Sequence, residues 1–496
     1  VVQARGPING VFRGRLQEAG AEIISYVPNN AYLVRVRGEG AKQLAGLGEV
    51  QAVLPYAPYF KLAPELLKVA LEDKPLEQGS WLRVTLFADA RESAMVALRA
   101  LGAEVLGEER SPFGPQLVVR TGPGESLGAL ARMTEVQGIE AVHARVAAHD
   151  LSRERVGVSV DTVTNSNYLG LTGSNVVINL NDYGLDITHL EFKRTNISTV
   201  DTNLYVDRSG HGTHVAGTLV GNGSQSNAVT YSNFWGSLTN ANFRGMAPEA
   251  KLFLLPLSHS PEVNDRVSDT YLQEEAARSM QQDAFFSGRT NAPLISNNSW
   301  TYVGASEYDM AAAMYDAAVR DALLEATNAQ PMIYVFPAGN AGFAGDNGLS
   351  GDPGSISSPG TAKNVITVGA IENFRFITNF YVITNIVVES GTNTTNYVTN
   401  TPFLSMTDSS NQVASFSSRG NVGIGIEGQL GRFKPDVVAP GTFIVSARSK
   451  DWKLENDVST NSPLYPILRD LNDNLGDTNG YRFESGTSYA VPVVSG

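Results

Sequence analysis

Beyond Gly173, short apolar runs alternate with stretches whose apolar positions recur at helical spacing, which predicts a parallel sheet with helices on both faces. Val176–Leu180, Lys251–Leu255, Pro293–Ser296, Pro331–Phe336 and Asn364–Val368 read as its buried strands. His211 to Gly221 reads as a helix rich in small residues, and Ser306 to Ala326 as a long one with Ala, Met and Leu on one face. Residues 371–412, rich in Asn and Thr with scattered aromatics, predict an inserted β-hairpin or extended loop.

Ahead of this region one pattern runs twice. Leu16-Gln17-Glu18-Ala19-Gly20-Ala21-Glu22 recurs as Leu98-Arg99-Ala100-Leu101-Gly102-Ala103-Glu104, each time ending an amphipathic helix just before a β-branched run. Strand, short helix and strand then follow in both copies: Ala31–Val36, Ala41–Leu47 and Val50–Leu54, against Gln116–Arg120, Ser126–Met133 and Ile139–Val142. With Trp81–Leu86 as its leading strand the second copy reads βαββαβ, a ferredoxin-like order, while the first is expected to have lost much of that strand. The expected domains are two small ferredoxin-like α+β modules over 1–75 and 76–149, an aperiodic linker over 150–172, and an α/β body over 173–496.

Length and composition narrow the classes. The 496 residues exceed what one core usually holds, roughly 250 to 300 residues, and 42% apolar content with 48 Gly and 23 Pro fits a loop-rich globular chain. A net charge of −13 without a Lys/Arg cluster argues against binding nucleic acid. The absence of cysteine excludes disulfides, thiolate metal sites and a cysteine nucleophile. No apolar run reaches the roughly 18 residues of a transmembrane helix, and Val1-Val2-Gln3-Ala4-Arg5 lacks the basic start and apolar stretch of a signal peptide. With no initiator Met, and with Gly496 falling where a helix should continue, the sequence reads as part of a longer chain.

Near that end, Gly486-Thr487-Ser488 predicts a tight turn that presents Ser488 at the start of a helix, its N-terminal amides facing the hydroxyl. Pro492 is expected in the first helical turn, where its missing N–H has no partner to lose. A serine nucleophile needs a base, and the base needs an orienting acid. Two of the six histidines stand in Ser209-Gly210-His211-Gly212-Thr213-His214-Val215-Ala216-Gly217, where Gly212 and Gly217 permit close helix packing. His-x-x-His also fits zinc, but the glutamate of His-Glu-x-x-His and a third ligand are missing. Asn181-Asp182-Tyr183-Gly184-Leu185-Asp186 supplies carboxylates at a strand's carboxyl end, with Asp182 and Asp186 as alternatives.

Taken together these segments resemble those of the subtilisin-like serine peptidases in the order Asp, His, Asn, Ser, over Gly173 to Gly496. The resemblance implies Ser488 as nucleophile, His211 as base and Asp182 as orienting acid, with Asn181 and Tyr183 replacing the family's apolar and small neighbours. It makes Asn340, in Ala338-Gly339-Asn340, an oxyanion donor beside the backbone N–H of Ser488, and His214 a structural histidine. Asn298-Ser299-Trp300 matches the segment that pairs with an extended substrate. Ser299, Trp300, Thr301, Ala338 and Gly339 would border the pocket for the side chain before the scissile bond. With Ala341 rather than a carboxylate near its mouth, that pocket is expected to favour apolar residues.

The same resemblance implies a secreted or cell-envelope endopeptidase acting on proteins or peptides through an acyl-enzyme, with no cofactor in the chemistry. It admits a structural calcium ion, for which Asp346, Asn347 and Asp352 are candidate ligands. The N-terminal modules would then act as a propeptide, chaperone and inhibitor of the body. Three readings compete: an inactive binding or scaffold homologue, an esterase or peptide ligase using the same residues, and modules that stay attached as binding domains.

Overall fold

The structure, a computed structural model, describes the chain apart from residues 28, 73–75, 77–79, 112, 122–126, 143–144, 148–152, 160, 162, 164–165, 194, 227–240, 259–266, 288–293, 327–329, 346, 390–391 and 474–479. Val1–Val142 and His143–Gly496 form two compact units.

The first unit carries two four-stranded antiparallel sheets. In one, Val2–Ala4, Glu22–Val27, Ala31–Arg35 and Val50–Val53 lie in the order second, third, first, fourth; Trp81–Leu86, Glu104–Ser111, Gly114–Arg120 and Val136–Ala141 repeat that order in the other. The repeat in sequence is therefore a repeat in topology, and the first leading strand survives at 3 residues. Phe12, Leu16 and Leu44 from two helices close the first core; Ala94, Leu98 and Leu130 do so in the second. The second core also takes Leu66 from the helix Pro64–Leu71, and Leu62 bridges to Ile139, so residues ahead of 76 pack with it.

In the second unit, seven parallel strands run in the spatial order Ile197–Thr199, Lys251–Pro256, Val177–Asp182, Leu294–Asn298, Ile333–Pro337, Ile366–Ile371 and Val437–Pro440. One face packs Ile178 and Leu180 against the helix His211–Val220, and Val335, Val368 and Ala439 against the helix Thr487–Ser495. The other face buries Phe253, Leu255, Tyr334 and Phe336 under the helices Asp269–Ser287 and Met310–Ala318. This is the expected α/β sheet, and both site-bearing helices lie on one side of it.

Three departures have physical causes. The helix expected over Ser306 to Ala326 spans only Met310–Ala318: Asp309 caps its start by accepting from Ala312 N at 2.9 Å, and Asp321 accepts from Leu323 N and Gln330 N to turn the chain away beyond its end. The helix Asp269–Ser287 went unread because its inward positions Leu272, Ala276 and Ala277 are mostly small. The central strands also hold a buried polar ladder where apolar residues were expected. Asn179 and Asn181 stand opposite Ser296 and Asn298, with Asn181 Nδ2 donating to Asn298 Oδ1 at 2.7 Å and Ser296 Oγ donating to Asn179 Oδ1 at 2.6 Å.

Candidate active site

Gly486, at φ 145° in the region that favours glycine, turns the strand Tyr481–Glu484 into the helix Thr487–Ser495, whose second residue is Ser488. Pro492 is not in the first turn but is the sixth helical residue. Its missing N–H would have bonded the Ser488 carbonyl one turn back. Instead that carbonyl accepts from Ser299 Oγ at 2.9 Å, and Ser299 Oγ in turn accepts from Asn297 Nδ2 at 3.0 Å. The proline gap thus ties the serine to the strand segment that follows Leu294–Asn298.

Asp182 ends its strand at the carboxyl edge of the sheet and accepts from Tyr183 N at 2.8 Å. His211 opens its helix and places Nδ1 2.8 and 2.9 Å from the two Asp182 oxygens. A carboxylate only accepts, so Nδ1 carries a proton, and in the neutral ring Nε2 is then the nitrogen with the lone pair. Nε2 is buried and has no hydrogen-bond partner among the described residues, the Ser488 hydroxyl included. Such contacts often tighten only once substrate is bound. A Cβ on Gly212 would lie 2.0 Å from Gly184 O and 3.1 Å from Asp182 Cγ, so the helix approaches the acid as closely as glycine allows.

Asp207, which sequence reasoning passed over, anchors the start of that helix. It accepts from Gly210 N, Ser209 Oγ, Thr213 N and Thr213 Oγ1 at 2.7 to 2.8 Å. Burial pushes its carboxyl pKa up, the nearby Asp182 charge adds to this, and the hydrogen bonds from Thr213 and Ser209 oppose it. Its signal was the Asp-x-Ser run just ahead of Gly210, side chains that accept from backbone amides at turns and helix starts although the N-cap itself is Gly210. Asp186 is occupied elsewhere, accepting from Thr188 and from Lys450 N and Nζ, so the acid beside His211 is Asp182. Burial alone would raise the Asp186 pKa, and those donors outweigh it to hold the pKa below the usual carboxylate range. The His214 ring packs against Tyr489 at 5.1 Å and meets Arg482 O through Nε2 at 3.2 Å, a structural place. The Tyr489 ring also lies 5.4 Å from that of His211, which sets the residue after Ser488 beside the base.

Asn340 is exposed, and its Oδ1 accepts from Thr487 N and Thr487 Oγ1, both at 2.9 Å. A backbone N–H can only donate, so this contact identifies Oδ1 and turns Nδ2 to the opposite side. Of the expected pocket residues, Ser299, Thr301, Ala338 and Gly339 are buried; Ser299 meets the serine helix at Ser488 O, and Gly339 N donates to Thr487 Oγ1 at 3.1 Å. The Trp300 indole packs into the core against Phe336 and Tyr315, which leaves the backbone for pairing. That backbone is engaged: Trp300–Tyr302 pairs antiparallel with Arg145–Ala147, Trp300 opposite Ala147 and Tyr302 opposite Arg145. Of the candidate calcium ligands, Asp346 lies outside the described residues and Asn347 Oδ1 accepts from Leu349 N; among the described residues no group of three or more acidic or His side chains could hold a metal.

The profile of the subtilase family matches residues 173–496, and that of a domain of unknown function matches residues 1–57. Over 85 residues the chain is 36% identical to the serine protease/ABC transporter B family protein tagD of Dictyostelium discoideum, a stretch covering 17% of this chain and 4% of that protein. Among solved structures it is similar to fervidolysin from Fervidobacterium pennivorans, at 18% identity and TM-score 0.42 over 85% of this chain and 55% of that one. It is also similar to the epidermin leader peptide processing serine protease EpiP from Staphylococcus aureus, at 15% identity and TM-score 0.43, covering 84% and 86%. With its profile matched across the whole strand and helix pattern beyond Gly173, the chain belongs to the subtilase family of serine proteases.

Proposed function

We propose that the body beyond Gly173 is an endopeptidase. A substrate strand lies along Trp300–Tyr302, and His211 Nε2 takes the Ser488 proton as Oγ bonds to the scissile carbonyl carbon. Asp182 steadies the imidazolium, while Asn340 Nδ2 and the Ser488 N–H receive the oxyanion. The C–N bond breaks as the amine takes the proton from Nε2, and water, deprotonated by the same nitrogen, releases the acyl group and restores Ser488. The observation that carries this reading is the Asp182 carboxylate on Nδ1 with a buried, open Nε2 in a helix packed beside the one that carries Ser488 in its first turn. Ser488→Ala and His211→Ala are each expected to lose casein hydrolysis and fluorophosphonate labelling while keeping the parent's melting curve. Casein cleavage at the parent rate by Ser488→Ala would end the assignment.

The reading extends to the N-terminal modules, as a propeptide of a secreted or cell-envelope enzyme. Supporting it, Arg145–Ala147 lies along Trp300–Tyr302 as a substrate strand would, whereas Arg153 is buried and donates to Asn167 Oδ1 at 2.8 Å as part of the body. Maturation therefore cuts between Ala147 and Arg153.

A further inference from the structure

Asn340 is exposed, so packing does not aim it; its flanks must. Both flanks meet one residue. Ser418 N donates to Gly339 O at 2.8 Å, and Ser418 Oγ accepts from Ala341 N at 3.0 Å, so the carbonyl before Asn340 and the amide after it are held by the same side. Ser418 is 1% exposed. Its neighbours continue the grip: Gly342 N donates to Phe416 O at 2.8 Å and Ala344 N to Ser415 O at 2.9 Å. Arg419 closes the far end, donating to Gly348 O and Ser350 O. At the near end a Cβ on Gly339 would lie 3.0 Å from Ser418 Oγ, so the two segments are in full contact.

We infer that Ser418 is a positioning residue for the oxyanion donor: it fixes the backbone on both sides of Asn340, leaving Thr487 to orient the amide. This rests on the proposed role of Asn340. Without the Ser418 hydroxyl the Ala341 N–H loses its acceptor and the turn can rotate, which displaces Nδ2 from the position where charge develops.

The test is a double-mutant cycle read as kcat and KM on a chromogenic peptide, with active sites counted by fluorophosphonate titration. Asn340→Ala is expected to lower kcat by about 10² to 10³-fold. Ser418→Ala should lower kcat about tenfold with KM nearly unchanged, and Ser418→Thr, which keeps the hydroxyl, should restore it. In the Asn340→Ala background, Ser418→Ala should change kcat by less than about twofold, because nothing remains to be aimed. If Ser418→Ala does not fold, Ser418→Cys, similar in shape with a weak sulfur acceptor, carries the same expectation. An unchanged kcat, or an equal drop in both backgrounds, would refute the inference and leave the role of Asn340 standing. A parent-like kcat in Asn340→Ala would refute that role instead.

Discussion

A methyl group at residue 212 has nowhere to go, with Gly184 O at 2.0 Å and Asp182 Cβ and Cγ at 3.1 Å. Gly212→Ala must push the helix off the acid, and a shift of about 1 Å at this place costs on the order of 10²-fold in kcat. The expected result is a folded protein, destabilised by about 1 to 3 kcal/mol, whose kcat falls further than its KM rises. A parent-like kcat would show that the acid and base do not need this spacing. The need for a glycine here was legible, because a glycine-flanked histidine at a helix start implies close packing. The oddity at Asn181 was legible only as an oddity. It is 1% exposed and satisfied by Asn298 and Asn179, partners that no local pattern in the chain could have announced. Pro492 shows the same limit, since what its missing N–H does depends on Ser299, far off in sequence and adjacent in space.

Elements were readable where apolar residues repeat and unreadable where small or polar residues do the packing. The strand around Ile178 and Leu180 is of the first kind, and the helix from His211, though rich in small residues, was readable because Val215, Leu219 and Val220 recur at helical spacing. The helix Asp269–Ser287, whose inward face is largely alanine, is of the second. The insertion at 371–412 resolves as Tyr381–Glu389 paired antiparallel with Thr392–Asn400, two strands that among the described residues form a sheet of their own, with Val382, Ile383, Tyr397 and Val398 exposed. Ile377 and Phe403 beneath it belong to the core. Replacing 384–397 by a two-residue turn should therefore leave stability within about 0.5 kcal/mol and activity unchanged, measured by thermal melting and peptide turnover. A loss of several kcal/mol would mean that the hairpin holds the core residues at its base.

Across the whole molecule, the duplicated heptapeptide announced a repeated module, and the topology repeats with it. The segment after the modules carried no periodicity, and for a physical reason: its described residues are held by polar contacts such as Arg153 to Asn167 and Asn167 to Met246 O, with Val158 packed against the core, rather than by a repeating apolar face. Mass spectrometry of the matured protein should find its new N-terminus after Ala147 and no later than Arg153. An N-terminus beyond Arg153 would require that buried guanidinium to leave the body first. The strand Arg145–Ala147 has one more consequence, because it is joined to the surface it covers. A tethered strand is presented at a fixed effective concentration, on the order of millimolar for a short connection, however dilute the protein. A free peptide must outcompete that figure before the cut, so turnover by the uncut chain should saturate only at millimolar substrate and show no change on dilution. On the proposed maturation, the cut would turn the same strand into an ordinary solute whose hold weakens with every dilution, and the onset of activity would become a question of volume.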